Sequence, residues 1–305
     1  MPNQPLFEKL SLHPFLILLI GCGTVVLGIA FAQLIVMSLL NISLGYSESE
    51  FIRILSSSEL SDAQEVMAYK LTLGMVQIIG FGGVAIVLAQ GFSNSKEILG
   101  FRQIPKTQHL ILAPILLIMS LPLMQWLVID QDTFSLPVPF QELEQWAKSK
   151  ETQSELLLKS ILNQQVLLNI LIIGIVPALS EELFFRGFVQ SAFKKVFNIH
   201  LTIILTGFIF SMVHLQMYGF LPRMLMGMLF GYMLLWSGSI IPCILAHFTN
   251  NALSVLLAYF ALNNDISASF LDSSPDIPWY VVLLSTLSTG TLLAVFYKSR
   301  LLNKE

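Results

Sequence analysis

Residues 162–190 read LNQQVLLNILIIGIVPALSEELFFRGFVQ. From Val166 to Leu179 the run is apolar except for Asn169, and it then passes directly into Glu181, Glu182 and Arg186. A membrane span needs about 20 mostly apolar residues. An ionisable side chain at the centre of such a helix costs at least about 2.5–3.5 kcal/mol on insertion scales, so it persists where it faces a bundle interior and finds partners. The stretch therefore predicts an all-α, polytopic transmembrane bundle with a polar centre between its helices.

The rest of the chain agrees. Hydrophobic residues make up 55% of the 305 and charged residues 11%, against about 25% charged in a soluble domain. Mean hydropathy is +0.75. Runs long enough to span fall at roughly 14–41, 68–91, 109–129, 162–190, 200–218, 221–237, 239–262 and 279–298, which is eight. We read them as one structural domain in three parts: 1–160 with the first three spans and their outside loops, 161–265 as a core of four, and 266–305 with the last span and a short cytoplasmic tail. Leu19-Ile20-Gly21-Cys22 resembles a lipoprotein cleavage box, but the apolar run continues to about Leu40, as in an uncleaved first span.

Loop charges set the expected orientation. With the N-terminus inside, Lys9, Lys96, Arg102, Lys106, Lys194, Lys195, Lys298, Arg300 and Lys304 lie inside. Arg53, Lys70, Lys148, Lys150, Lys159 and Arg223 lie outside, giving nine against six. We expect an integral protein of a bacterial inner (plasma) membrane with both termini inside. In 131–160, Phe140, Leu143, Trp146 and Ala147 recur at helical spacing among charges, which fits either a helix lying at the interface or a solvated loop. Cys22 and Cys243 form no CxxC pattern, and no basic run interleaved with aromatics suggests nucleic acid.

The informative residues are the polar ones within spans. Glu182 and Arg186 are four apart with the acid N-terminal, the favourable order for a pair on one helix face, and read as a packing network. Glu181 sits about 100° round the helix with no partner on its own segment, which makes it a candidate general base. His214 follows Phe210-Ser211-Met212-Val213, and His247 lies four residues before Asn251. His13, His109 and His200 lie at span ends or in loops and read as structural. Glu181 and His214 can hold and deprotonate a water; His247 and Asn251 can donate to an oxyanion, where loss of one donor costs about 100–1,000-fold in rate. On simple span counting, however, His214 falls late in an in-to-out span and His247 early in another.

These segments, in this order, resemble the CPBP family of intramembrane peptidases, which includes the type II CAAX prenyl endopeptidases (the Rce1-like enzymes) and bacterial Abi-type proteins. The family pattern of EExxxR, FxxxH and HxxxN or HxxxB is matched by Glu181-Glu182 with Arg186, Phe210 with His214, and His247 with Asn251. Phe185-Arg186-Gly187 also looks like the family's FRG. The resemblance implies an eight-helix bundle with a conical cavity, Glu181 as base with His214 orienting the water, His247 and Asn251 as oxyanion hole, and Glu182 and Arg186 in support. It implies an endopeptidase acting on a hydrophobic or lipidated, CAAX-like peptide in the lipid bilayer. Alternatives are a membrane transporter, or a non-catalytic peptide-binding or immunity scaffold. No cofactor is expected, because HExxH is absent and Asn251 is a poor zinc ligand; a zinc ion could be ligated by Glu181, His214 and His247.

Overall fold

The computed structural model describes residues 6–9, 12–129, 134–162, 165–263 and 277–300. Among these the chain is helical throughout, with one isolated β-bridge between Phe101 and Ser239. The helices that matter are α1 (Pro14–Leu44), α2 (Glu48–Ser56), α3 (Ala63–Ala89), α4 (Thr107–Trp126), α5 (Gln141–Leu162), α6 (Val166–Phe193), α7 (Ile199–Met212), α8 (Phe220–Ser237), α9 (Ile241–Asn263) and α10 (Trp279–Ser299). Leu19–Cys22 form part of the uninterrupted α1. Residues 141–162 take the helical reading, with Leu143 and Trp146 exposed and Ala147 buried.

Among the described residues seven helices, α1, α3, α4, α6 and α8 to α10, are long and apolar enough to cross a membrane. The chain is an integral membrane protein. The expected eighth span, 200–218, is shorter than the sequence suggests: α7 has 14 residues and stops at Met212. At 1.5 Å per residue it is about 21 Å long, less than the roughly 30 Å of a hydrocarbon core. The apolar run misleads because the chain turns at Val213–Gly219, with Leu215 at φ +55°, and returns as α8. Ser211 Oγ donates to the Phe220 carbonyl across this turn at 2.7 Å.

Helices α7 and α8 approach closely through small residues, as membrane helices do where backbones must meet. A Cβ on Gly207 would lie 2.8 Å from the Met224 carbonyl, and one on Gly227 would lie 2.9 Å from Gly207 Cα. Helix α4 carries Pro114 and Pro122. Ser285 of α10 donates to the Met119 carbonyl at 2.6 Å and accepts from Leu123 N at 3.2 Å, re-satisfying backbone beside Pro122. The core beneath the polar centre is aromatic, with Phe184, Phe185, Phe188, Phe210 and Phe230 all buried.

Helices α3 and α6 are not regular α-helix throughout. Val76–Gly83, Ile170–Ile175 and Leu183–Val189 are π-helical. Such wide turns are rare and frequently occur at functional sites. Two of them flank Val176–Glu182, the segment that presents the acidic pair.

Candidate active site

Glu181 and Glu182 are both buried, yet they face different partners. Oε1 of Glu182 accepts from Arg186 Nη1 at 2.9 Å and from His247 Nδ1 at 2.8 Å. Arg186, fully buried, also donates from Nη2 to the Gly227 carbonyl at 3.0 Å. Its guanidinium lies 4.4 Å from the Phe210 ring centroid and 5.1 Å from that of Phe230, contacts whose attraction grows when the cation is desolvated. The Glu182–Arg186 pair thus extends to α8 and α9, beyond the single helix face read from sequence.

Glu181 has a partner that its own segment does not supply. Gln77 Nε2, in the π-helical part of α3, donates to Glu181 Oε1 at 2.8 Å. The other oxygen, Oε2, is buried, accepts no hydrogen bond, and lies 3.9 Å from His247 Nε2. Gln77 is the residue that reading the sequence missed. Its signal was weak: it is the single amide in the apolar run 71–89.

His214 sits in the turn after α7, exposed, and Nδ1 donates to the Phe210 carbonyl at 2.8 Å. With that proton fixed on Nδ1, the neutral ring keeps an acceptor lone pair on Nε2. Phe210 separates the two histidines, with ring centroids 5.2 Å from His214 and 5.8 Å from His247. His214 also lies within electrostatic reach of Glu181 and His247. Because α7 stops at Met212, His214 lies in the turn after it and not late in a long span.

Asn251 is less closely engaged. Its Oδ1 accepts from Asn250 Nδ2 at 3.2 Å, and among the described residues it forms no hydrogen bond with Glu181, His214 or His247. The other histidines make structural contacts. His13 accepts from Phe15 N at the start of α1, Nε2 of His109 lies 2.6 Å from Ser299 Oγ, and Nδ1 of His200 lies 2.9 Å from Tyr232 Oη. Among the described residues no three His, Cys, Asp or Glu side chains are grouped to hold an ion, and His247 Nδ1 is committed to Glu182.

Helices α6 to α8, the turn after α7 and the first half of α9 supply every motif residue, and residues 163–253 match the family described as type II CAAX prenyl endopeptidase Rce1-like. The segment is similar to an Rce1-like domain. No curated protein and no solved structure matches the chain. The Rce1-like segment ends two residues beyond Asn251 and begins 18 before Glu181, so it contains the acidic pair, Arg186 and both histidines; Gln77 lies outside it.

Proposed function

We propose that this protein is an intramembrane endopeptidase that cleaves a membrane-associated hydrophobic or lipidated peptide, with Glu181 and His214 activating the attacking water. The observation that carries the reading is the pair of open acceptors, Glu181 Oε2 and His214 Nε2, inside a segment that matches a peptidase family. A water donating to both presents its lone pair to a carbonyl carbon. As attack proceeds, Glu181 takes one proton and later delivers it to the leaving amine, the usual double duty of a general base.

His247 and Asn251 donate to the developing oxyanion in this scheme. With Nδ1 committed to Glu182, His247 can donate from Nε2 only as an imidazolium, and the Glu182 carboxylate beside it offsets that charge. Glu182 and Arg186 therefore act through His247. Glu181, His214 and His247 are the residues that would bear on a zinc ion if one were used; the donor geometry favours hydrolysis without it.

The test is peptide cleavage by protein reconstituted in liposomes, read by mass spectrometry over lipidated and unlipidated libraries. Wild type and Glu181→Gln run in parallel, each with and without a chelator. Cleavage by wild type alone, indifferent to the chelator, is the expected result. Equal cleavage by both would move the chemistry away from Glu181, and loss with the chelator would overturn the metal-free scheme.

A further inference from the structure

Lys70 belongs to none of the motifs and falls among the outside cations of the loop count, yet it lies within α3 and its side chain is fully buried. Nζ donates to Gln165 Oε1 at 3.2 Å, its one hydrogen bond among the described residues. That partner is neutral, and among the described residues no carboxylate forms an ion pair with Lys70 or acts on its charge. Asp62 and Glu65, the acids nearest in sequence, are engaged elsewhere. Asp62 Oδ1 caps α3 by accepting from Gln64 N at 2.8 Å and from Glu65 N at 2.9 Å. Eight residues separate it from Lys70, about 12 Å along the helix axis. Glu65 pairs with Arg53 and accepts from Ser61 N at 2.8 Å.

Cavity and dipole point the same way. Lys70 lines a cavity of about 290 Å³ together with Ser61, Asp62, Ser160 and Gln165. Gln165 is the N-cap residue of α6, at φ +60°, and its side chain makes no capping bond, so the positive end of the α6 dipole falls beside the ammonium. Donors remain as well. Lys70 uses one of its three on Gln165, and Gln165 Nε2 makes no hydrogen bond among the described residues. Against them stands one exposed carboxylate, that of Asp62. A buried ammonium is costly without a paired charge. A cavity that combines such a cation with a helix N-terminus and spare N–H donors suits an anion with several acceptor oxygens. Helix α3 has 27 residues, about 40 Å against about 30 Å of hydrocarbon, and Lys70 is about 10 Å from its start. The cavity therefore lies toward one membrane surface, within reach of headgroups and of water.

We propose that this cavity binds a phosphate group, carried either by a lipid headgroup or by inorganic phosphate. The group accepts hydrogen bonds from Lys70 Nζ and Gln165 Nε2 and neutralises the ammonium. Lys70 and Ser160 precede the Rce1-like segment, and Gln165 is its third residue. The site is thus separate from the residues assigned to cleavage and does not rest on the peptidase reading.

Melting of the full-length protein in dodecyl maltoside, a detergent without phosphate, tests this. Inorganic phosphate is titrated against chloride at matched ionic strength, and phosphatidylglycerol against diacylglycerol with the same chains. A phosphate-bearing probe should raise the melting temperature by about 3–6 °C near 100 times its Kd. A response to inorganic phosphate assigns the free anion, and a response to phosphatidylglycerol alone assigns the headgroup. Lys70→Met, which keeps the length and loses the charge, should abolish the response. Gln165→Glu keeps Lys70 but gives it an internal carboxylate, so this variant should melt no lower than wild type and also fail to respond. Should Lys70→Met not fold, Gln165→Glu alone decides. No response of wild type to either phosphate-bearing probe, an equal response to chloride or diacylglycerol, or a response kept by either variant would each overturn the proposal.

Discussion

Nδ1 of His247 lies 2.8 Å from Oε1 of Glu182, the same oxygen that accepts from Arg186 at 2.9 Å. Two charge-bearing groups from two helices therefore share one carboxylate oxygen, and all three residues are buried. Glu181, next in sequence, accepts a hydrogen bond from an amide on one oxygen, while the other lies 3.9 Å from His247 Nε2 and accepts none. The two glutamates should consequently respond to substitution in opposite ways, Glu182 in stability and Glu181 in activity. Glu182→Ala leaves Arg186 buried without its acid, and breaking a buried pair costs about 3–5 kcal/mol. Glu181→Gln keeps the shape and can still accept from Gln77, so its stability should stay within about 1 kcal/mol of wild type while cleavage is lost. Thermal unfolding in detergent alongside the cleavage assay separates them; a stable Glu182→Ala or an unfolded Glu181→Gln contradicts this division.

Gln77 offers a second test, because it supports the base without carrying a proton to substrate. Replacing it with Leu removes the bond to Glu181 Oε1 and leaves the carboxylate to reorient. We expect kcat to fall by about 10- to 100-fold, in line with about 1.5–3 kcal/mol for a hydrogen bond to a charged group, with KM little changed. A Gln77→Leu enzyme with wild-type kcat would show that the bond has no part in positioning Glu181.

The close crossing of α7 and α8 makes Gly227 sensitive. A methyl group there meets Gly207 Cα at 2.9 Å, Phe210 Cδ1 at 3.2 Å and Arg186 Nη2 at 3.3 Å. Gly227→Ala should therefore lower stability by about 1–3 kcal/mol through overpacking and lower activity by displacing Arg186. Unchanged melting and activity would mean that the helices can separate without disturbing the site.

Most of the bundle and the polar residues gathered within it could be read from the chain because membranes enforce a coarse rule: apolar runs become helices, and charges within them need partners. Glu181, Glu182, Arg186 and His247 violate the apolar pattern strongly enough to be visible. Two features were not visible for physical reasons. The end of α7 falls inside an apolar run, so hydropathy cannot mark where Val213–Gly219 turns. Gln77 is uncharged, and a single amide among apolar residues costs too little to stand out.

That turn underlies the last prediction. His214 is fixed by its Nδ1 bond to the Phe210 carbonyl and is followed by Leu215 at φ +55°, a conformation that glycine adopts freely and a branched side chain does not. The backbone thus holds the imidazole in place by a locally strained residue, an arrangement found at functional sites. Removing the imidazole with His214→Ala should reduce kcat by about 100- to 10,000-fold, the range for a general acid–base contribution, and leave binding of the peptide nearly intact. Leu215→Gly should do the reverse on stability: it relieves the strain, so the protein melts no lower than wild type, while a freer turn lets His214 wander and kcat falls. Measuring melting, kcat and KM for both variants decides the matter, since an active His214→Ala removes the histidine from the chemistry, and a Leu215→Gly enzyme with full kcat shows that the turn does not position it.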